Sequence, residues 1–219
     1  MITVHHLNNS RSQRLLWLLE ELGVPYELVK YERDHKTMLA PKTLEAIHPL
    51  GKAPVITDDG KTIAESGAII EYLVETYGAG KWKPAAGTPE LMRYRYFLHY
   101  AEGSLMPYLL LALVFRRIRK APWPVRPIAK AIASKVEAIA ITPNLELHAA
   151  FLDGELAKSP WFAGEEPTGA DIQMLFPMEA LAARMPNVPE RITAWVARAH
   201  ARPAYQRALE RGGPNEPMG

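Results

Sequence analysis

Residues 48–78 read HPLGKAPVITDDGKTIAESGAIIEYLVETYG, and two periodicities follow one another within them. Ala53-Pro54 leads into a short apolar run at Val55 and Ile56. Asp58-Asp59-Gly60 supplies turn residues and Lys61-Thr62-Ile63-Ala64 continues as a second short strand, so the spacing predicts a β-hairpin. From Glu65-Ser66 onward the period changes: Ile69, Ile70, Leu73, Val74 and Tyr77 recur at helical spacing, and Gly78 stops them. A serine at a helix start sets a hydroxyl beside unpaired backbone N–H groups, which suits a carboxylate. The adjacent Glu65 suits an ammonium group. The pair reads either as a clasp for an α-amino acid head or, more plainly, as a helix N-cap beside a carboxylate that complements the helix dipole.

The composite pattern Pro49-x-Gly51-Lys52-x-Pro54-Val55, then Asp58-x-Gly60, then Glu65-Ser66-x-Ala68-Ile69-x-x-Tyr72-Leu73 resembles the glutathione transferase family, in the segment after its thioredoxin-like βαβ unit. The resemblance implies a cis peptide bond at Pro54 and a Val55 backbone that pairs with the cysteinyl unit of glutathione. It implies that Glu65 and Ser66 hold the amino-acid head and that Lys52 meets the glycyl carboxylate. His48 stands where it either touches glutathione or caps a turn. His35 and Lys36 lie in the polar segment that lines the glycyl end in related folds, and rank lower.

Ile2 to Leu7 reads as a buried strand, followed by the polar loop Asn8-Asn9-Ser10. Leu15, Leu16, Leu18, Leu19 and Leu22 then form one apolar helix face, closed by Gly23-Val24-Pro25. Tyr26 to Tyr31 alternates as a second strand, and a short helical patch follows near Thr43 to Ile47. The order β-α-β-(α)-β-β-α predicts a thioredoxin-like topology with a mixed four-stranded sheet. Beyond a break at 79–87 every segment is helical in period. A long aromatic-rich helix runs from Pro89 to about Arg119, and a proline-studded interruption covers 121–127. Further helices are expected near 128–141, 144–158, 170–184, 189–201 and 203–210. Tyr100-Ala101-Glu102-Gly103-Ser104-Leu105-Met106-Pro107 and Gly164-x-x-Pro167-Thr168-x-Ala170-Asp171-Ile172 resemble the family's all-helical domain. Thr168 and Asp171 also form a capping box, a folding feature. The expected division is a thioredoxin-like glutathione-binding domain at 1–80, a linker at 81–87, an all-helical domain at 88–211 and a frayed tail at 212–219.

With 219 residues the chain holds one large domain or two small ones, and it has no cysteine, which excludes disulfides, thiolate metal sites and cysteine nucleophiles. A net charge of +2 is too small to argue for nucleic acid. Its distribution is uneven. Residues 1–80 carry 8 Lys/Arg against 11 Asp/Glu, whereas seven basic residues and no acid occur between Arg116 and Lys135. That run reads as a solvated rim, as a vestibule for anionic substrates, or as a peripheral membrane contact, in that order. No secretion signal precedes MITVHHL and no stretch reaches the roughly 20 apolar residues of a membrane span, so a cytoplasmic protein is expected. The seven histidines are scattered and metal binding is not expected.

Conjugation of glutathione requires its thiol to be held as thiolate, because the thiolate is the nucleophile. A hydroxyl donor and a helix N-terminus aimed at the sulfur lower its pKa. Ser10, placed as in the serine-type classes after the first strand, is the expected donor; its plainer reading is a helix N-cap, and Ser12, Asn9 and Asn8 are the alternatives. Arg14 reads as support for the sheet or the domain interface. Tyr100, Ser104, Met106, Tyr108 and Leu109 are expected to wall a pocket for a small electrophile between the domains. The resemblance implies a homodimeric glutathione transferase with glutathione as co-substrate and no metal. A glutathione-dependent peroxidase or disulfide reductase, or a non-catalytic glutathione-binding protein, remain the alternatives, since fold alone does not license activity.

Overall fold

A computed structural model describes residues 1–34 and 37–214. Four strands, β1 (Ile2–Leu7), β2 (Tyr26–Tyr31), β3 (Val55–Asp58) and β4 (Lys61–Ala64), form one sheet in the order β2-β1-β3-β4. β1 and β2 are parallel, which requires a crossover, and α1 (Gln13–Leu22) supplies it. The other two pairings are antiparallel. At the predicted hairpin turn Asp59 and Gly60 both take positive φ, 45° and 79°, the two-residue geometry that matches strand twist. Gly23 closes α1 in the left-handed region at φ 65°. The helical patch is a 3₁₀ turn over Lys42–Ala46, and α2 (Ser66–Tyr77) follows the hairpin.

The rest is helical: α3 (Pro89–Tyr100), α4 (Met106–Ile118), α5 (Arg126–Val136), α6 (Thr142–Leu156), α7 (Gly169–Arg184), α8 (Glu190–His200) and α9 (Pro203–Gly212). The predicted long helix is α3 and α4 joined without a break through a π-turn at Ala101–Leu105. The two helices predicted at 128–141 and 144–158 are likewise one run, with a π-turn at Glu137–Ile141. Each π-turn ends just before a proline, Pro107 or Pro143. A proline cannot donate to the carbonyl four residues back and its ring crowds that carbonyl, and a widened turn absorbs both problems while the helix continues. The capping box forms as predicted: the Thr168 N–H and hydroxyl donate to Asp171 at 2.8 and 2.9 Å, and the Phe162 N–H adds a third bond at 2.9 Å.

One expectation fails. The continuous helix Pro89–Ile118 is 30 residues long with a mean hydropathy of 1.3 in its best window, long and apolar enough to cross a membrane by composition. The residues responsible include Tyr94, Phe97, Leu98, Leu105 and Leu109, all buried against the remainder of the protein. Its apolar residues are divided between the core and the surface: 39% of that window is buried, and Tyr96, Leu110 and Val114 are exposed.

A single apolar core joins the two halves, running from Ile2, Leu15 and Ile69 through Tyr94 and Phe97 to Trp195 and Tyr205. α9 returns to lie along α1. A Cβ at Gly212 would crowd Gln13 Oε1 and stand 2.7 Å from Leu16 Cδ1, so side-chain ends on α1 would have to move. Arg202 pairs with Glu21, and Arg207 and Arg211 pair with Glu20.

Arg14 is the charged element of this junction. Its side chain is 0% exposed. It donates to the Gln173 carbonyl on α7, to Ser66 Oγ at 2.7 Å and to Glu102 at 2.6 Å. Arg11 donates to both Glu102 oxygens at 2.9 Å. Burial alone would raise the Glu102 carboxyl, but the guanidinium groups of Arg14 and Arg11 outweigh it and hold the group below its ordinary value. Removing one partner of such a pair strands the other in a dry site. Glu102→Gln is expected to lower stability by about 3 kcal/mol in urea unfolding at pH 7, while the paired change Arg14→Met with Glu102→Leu costs less than the single one. Equal stability of Glu102→Gln and wild type would show that the pair does not hold the halves together.

Candidate active site

Strand register assembles the site. His5 pairs with Val55, and Val55 pairs with Ala64, so three strands align in one row. One step beyond that row lie the end of β1 and its loop, the Ala53-Pro54 peptide that enters β3, and Glu65-Ser66 leaving β4. The β1 loop thus meets two distant segments of the β3–β4 hairpin at one end of the strands, beside the first turn of α1. The Ala53-Pro54 bond is cis, in agreement with the expectation from the resemblance. The Val55 side chain is fully buried, so what it offers a ligand comes from its backbone.

Glu65 occupies the residue before α2 with φ 68°, a left-handed conformation that is costly for a residue with a side chain. Ser66 is the first residue of the helix, and α2 has no side-chain cap. The N-cap reading of Ser66 therefore does not hold. The amide N–H groups of the first turn point out of the helix end, where they favour an anion. Ser66 Oγ accepts from Arg14, which leaves its own proton to donate outward. Lys52 is exposed, and the His48 ring nitrogen accepts from the Leu50 N–H at 3.4 Å, the turn-capping alternative. His35 and Lys36 lie outside the described residues. Arg14 stands at the domain interface as expected.

Ser10 and Ser12 separate clearly. Ser12 Oγ is fully buried, 2.8 Å from His6 Nδ1, and accepts from the Leu7 N–H at 3.2 Å. Burial lowers the His6 pKa to about 4, so the ring is neutral near pH 7, and it also donates to the Gly212 backbone. Nδ1 of the neutral ring and the Leu7 carbonyl, at 3.2 Å, are then the two acceptors for the Ser12 proton. The remaining Ser12 lone pair accepts from Ser10 at 2.8 Å. Every position on Ser12 is filled. Ser10 Oγ accepts from the Ser12 N–H at 3.2 Å, and its proton, directed at Ser12 Oγ, must leave that bond to turn toward another acceptor. Asn8 holds Arg33 through its side-chain and backbone oxygens, at 2.9 and 3.2 Å.

Ser10 also lines a cavity of about 250 Å³ between the halves, with Asn9 and Arg11 of the same loop, the segment around Met38, and α4. Of the five residues predicted to wall such a pocket, Met106 alone does so. Tyr100 is buried and bonded to His148, Tyr108 packs on the His148 ring, and Leu109 is in the core. The face that points into the cavity is Met106, Leu110, Leu113 and Arg117, at i, i+4, i+7 and i+11. The π-turn inserts an extra residue and rotates this register relative to an uninterrupted helix. A larger cavity of about 550 Å³, between α4, the second π-turn and the end of α7, lies away from Ser10. Among the described residues no three His, Cys, Asp or Glu side chains cluster as a metal site.

The lowered pKa of His6 has a sign. The unfolded ring binds a proton below about 6.5 and the folded ring only below about 4, so stability conferred above pH 6.5 is lost as pH falls through that window. Burial raises the Asp171 carboxyl to about 6, which runs the other way, since its stability declines as pH rises from about 4 to 6. The difference between wild type and His6→Gln isolates the histidine. Urea unfolding at pH 7 and pH 5 is expected to show a loss of the order of 1–2 kcal/mol in wild type relative to the variant, which retains the opposing Asp171 trend. Parallel slopes would remove His6 from the buried neutral position described.

Comparison with known proteins agrees with this architecture. The sequence pattern of "Glutathione S-transferase, N-terminal domain" matches residues 1–75, and that of "Glutathione S-transferase, C-terminal domain" matches residues 130–203. Glutathione S-transferase 3 of Schizosaccharomyces pombe is 36% identical over 216 residues, 96% of this chain and 88% of that protein. A glutathione S-transferase from Actinobacillus pleuropneumoniae superposes with a TM-score of 0.81 at 32% identity, covering 100% of this chain and 95% of its own. A theta-class enzyme from Xanthomonas axonopodis, solved with glutathione bound, gives 0.72 at 26% identity over 95% of this chain and 96% of its own. The two-part architecture, the sheet edge with its cis-proline and these likenesses agree, and the chain belongs to the glutathione S-transferase family.

Proposed function

We propose that the sheet edge binds glutathione, that Ser10 holds its sulfur as thiolate, and that the thiolate attacks small hydrophobic electrophiles entering the adjoining cavity. The observation that carries the reading is the Ser10 hydroxyl. It lies on the wall of the cavity, accepts from the Ser12 N–H, and can re-aim toward a ligand the proton it directs at Ser12 Oγ. The α2 N-terminus, Ser66 and Glu65 suit the amino-acid head, the Val55 backbone suits the central unit, and Lys52 suits the far carboxylate. When bound, glutathione supplies the nucleophilic sulfur. The chain supplies the rest: a donor that favours the charged form of a thiol whose ordinary pKa is about 8.5, and an apolar wall that excludes water. The start of α1, adjacent to Ser10, adds the positive end of its dipole.

The Ser10→Ala variant is expected to raise the pKa of bound thiol by about one unit, cutting thiolate at pH 7 and kcat/KM for 1-chloro-2,4-dinitrobenzene by about tenfold. Ultraviolet titration of the thiolate band checks it, and an unshifted titration would remove Ser10 from this role. Lys52→Ala is expected to raise KM for glutathione without moving that titration.

The homodimer belongs to the same proposal. Leu50, on the loop before β3, is 60% exposed, and Met92, Tyr96 and Leu147 on the packed helices α3 and α6 are 66%, 50% and 67% exposed. Apolar side chains in these numbers support a second copy as their cover. Sedimentation velocity is expected to give a dimer for wild type and a shift toward monomer for Leu50→Asp.

A further inference from the structure

The cavity beside Ser10 is charged in a way that a pocket for neutral electrophiles does not require. Three guanidinium groups, Arg11, Arg33 and Arg117, line it, and among the described residues no acidic side chain does. Two of them are held in place. Arg11 lies 5.3 Å over the Phe176 ring with both Glu102 oxygens on its Nε. Arg33 donates through Nε to the Asn8 carbonyl and through Nη1 to the Met38 carbonyl. Burial, then the neighbouring charges of Arg11 and Arg117, lower the Arg33 pKa, which reports that the three groups share one field. The nearby acids do not balance it. Glu102 is divided between Arg11 and Arg14, and Asp34 accepts from the Thr37 N–H and hydroxyl on the exposed side of the loop.

Arg117 differs from the other two. It is exposed, and among the described residues its side chain makes no hydrogen bond or ion pair, its carbonyl accepting within the helix end. It ends the α4 face that begins at Met106, so the cavity wall runs from apolar side chains to an available guanidinium. A volume of about 250 Å³ suits one substituted ring. A guanidinium presents a planar fork of donors matched to a carboxylate or sulfonate, and in a partly dry site such a bond is stronger than in water.

We propose that the electrophiles this site prefers are small aromatic or unsaturated compounds carrying an anionic group, with the ring against Met106, Leu110, Leu113 and Phe176 and the anion on Arg117. The inference rests on the thiol-transfer reading above and narrows its substrate class. With a chloronitroarene the balanced step forms the carbon–sulfur bond, breaks the carbon–chlorine bond and releases chloride with its electron pair, the thiol proton having passed to solvent. The anionic substituent is unchanged and serves only recognition.

The test compares 4-chloro-3-nitrobenzoate with its uncharged counterpart 4-chloro-3-nitrobenzamide, each corrected for its uncatalysed rate with glutathione. Wild type is expected to favour the benzoate in kcat/KM, and Arg117→Gln to reduce the benzoate-to-benzamide ratio by about tenfold, as loss of one charged hydrogen bond predicts. Lys120→Gln, in the same basic run but away from the cavity, is expected to keep the wild-type ratio. Calorimetric binding of the unreactive 3-nitrobenzoate and 3-nitrobenzamide gives a readout independent of turnover. An equal ratio in wild type and Arg117→Gln, or an equal fall in Lys120→Gln, overturns the proposal. Conjugation of neither compound, with the binding preference and its loss in Arg117→Gln intact, would overturn the thiol-transfer reading and leave anion recognition standing.

Discussion

A guanidinium buried without contact to water is the constraint around which this molecule is assembled. Arg14 sits in the first turn of α1 and places its two Nη groups on three other segments, the start of α2, the π-turn of the helical half and the backbone of α7, while its buried Nε has no partner. A charge so placed is tolerated only where every partner arrives in position together. The partners are also the site. Ser66 belongs to the ligand edge, and Glu102 fixes Arg11 on the wall of the cavity. The bond that holds the halves together therefore also sets the geometry in which chemistry is proposed.

The two π-turns show how helix irregularity places function. Pro107 and Pro143 would each kink or break a regular helix, and in each case the preceding turn widens and the helix runs on. The first of these turns carries Glu102 toward α1 and rotates α4 so that Met106, Leu110, Leu113 and Arg117 share one face. A straight helix with the same sequence would aim a different set of side chains at Ser10.

Much of the fold was legible because it is written in local pattern. The change from alternation to helical period between Ala64 and Ile69, the two-residue turn at Asp59-Gly60, the stop at Gly23 and the box formed by Thr168 and Asp171 each depend on residues within a few positions of one another. The sheet edge was legible through the composite motif around Pro54. What escaped depends on distant segments or on helix register. Nothing in Ser10, Ser12 or His6 taken alone announces that Ser12 is saturated, because the argument needs the tautomer of His6 and hence its bond to Gly212. The pocket face of α4 was misread for the related reason that one extra residue in a turn changes which side chains coincide. The apolar length of the helix Pro89–Ile118 was underestimated because Glu102, Gly103 and Pro107 interrupt its apolar residues in sequence, although the helix runs through them.

The contact of Gly212 with α1 and with His6 gives the chain a closed circuit. Its last helix is clipped to its first, and the clip reaches the floor beneath Ser10. The polypeptide looks divisible at the break after α2, yet neither piece is a portable module: the thioredoxin-like half borrows its outer wall from the end of the sequence. Evolutionary exchange of whole electrophile domains between such proteins must therefore carry the final helix along and match it to the recipient's α1.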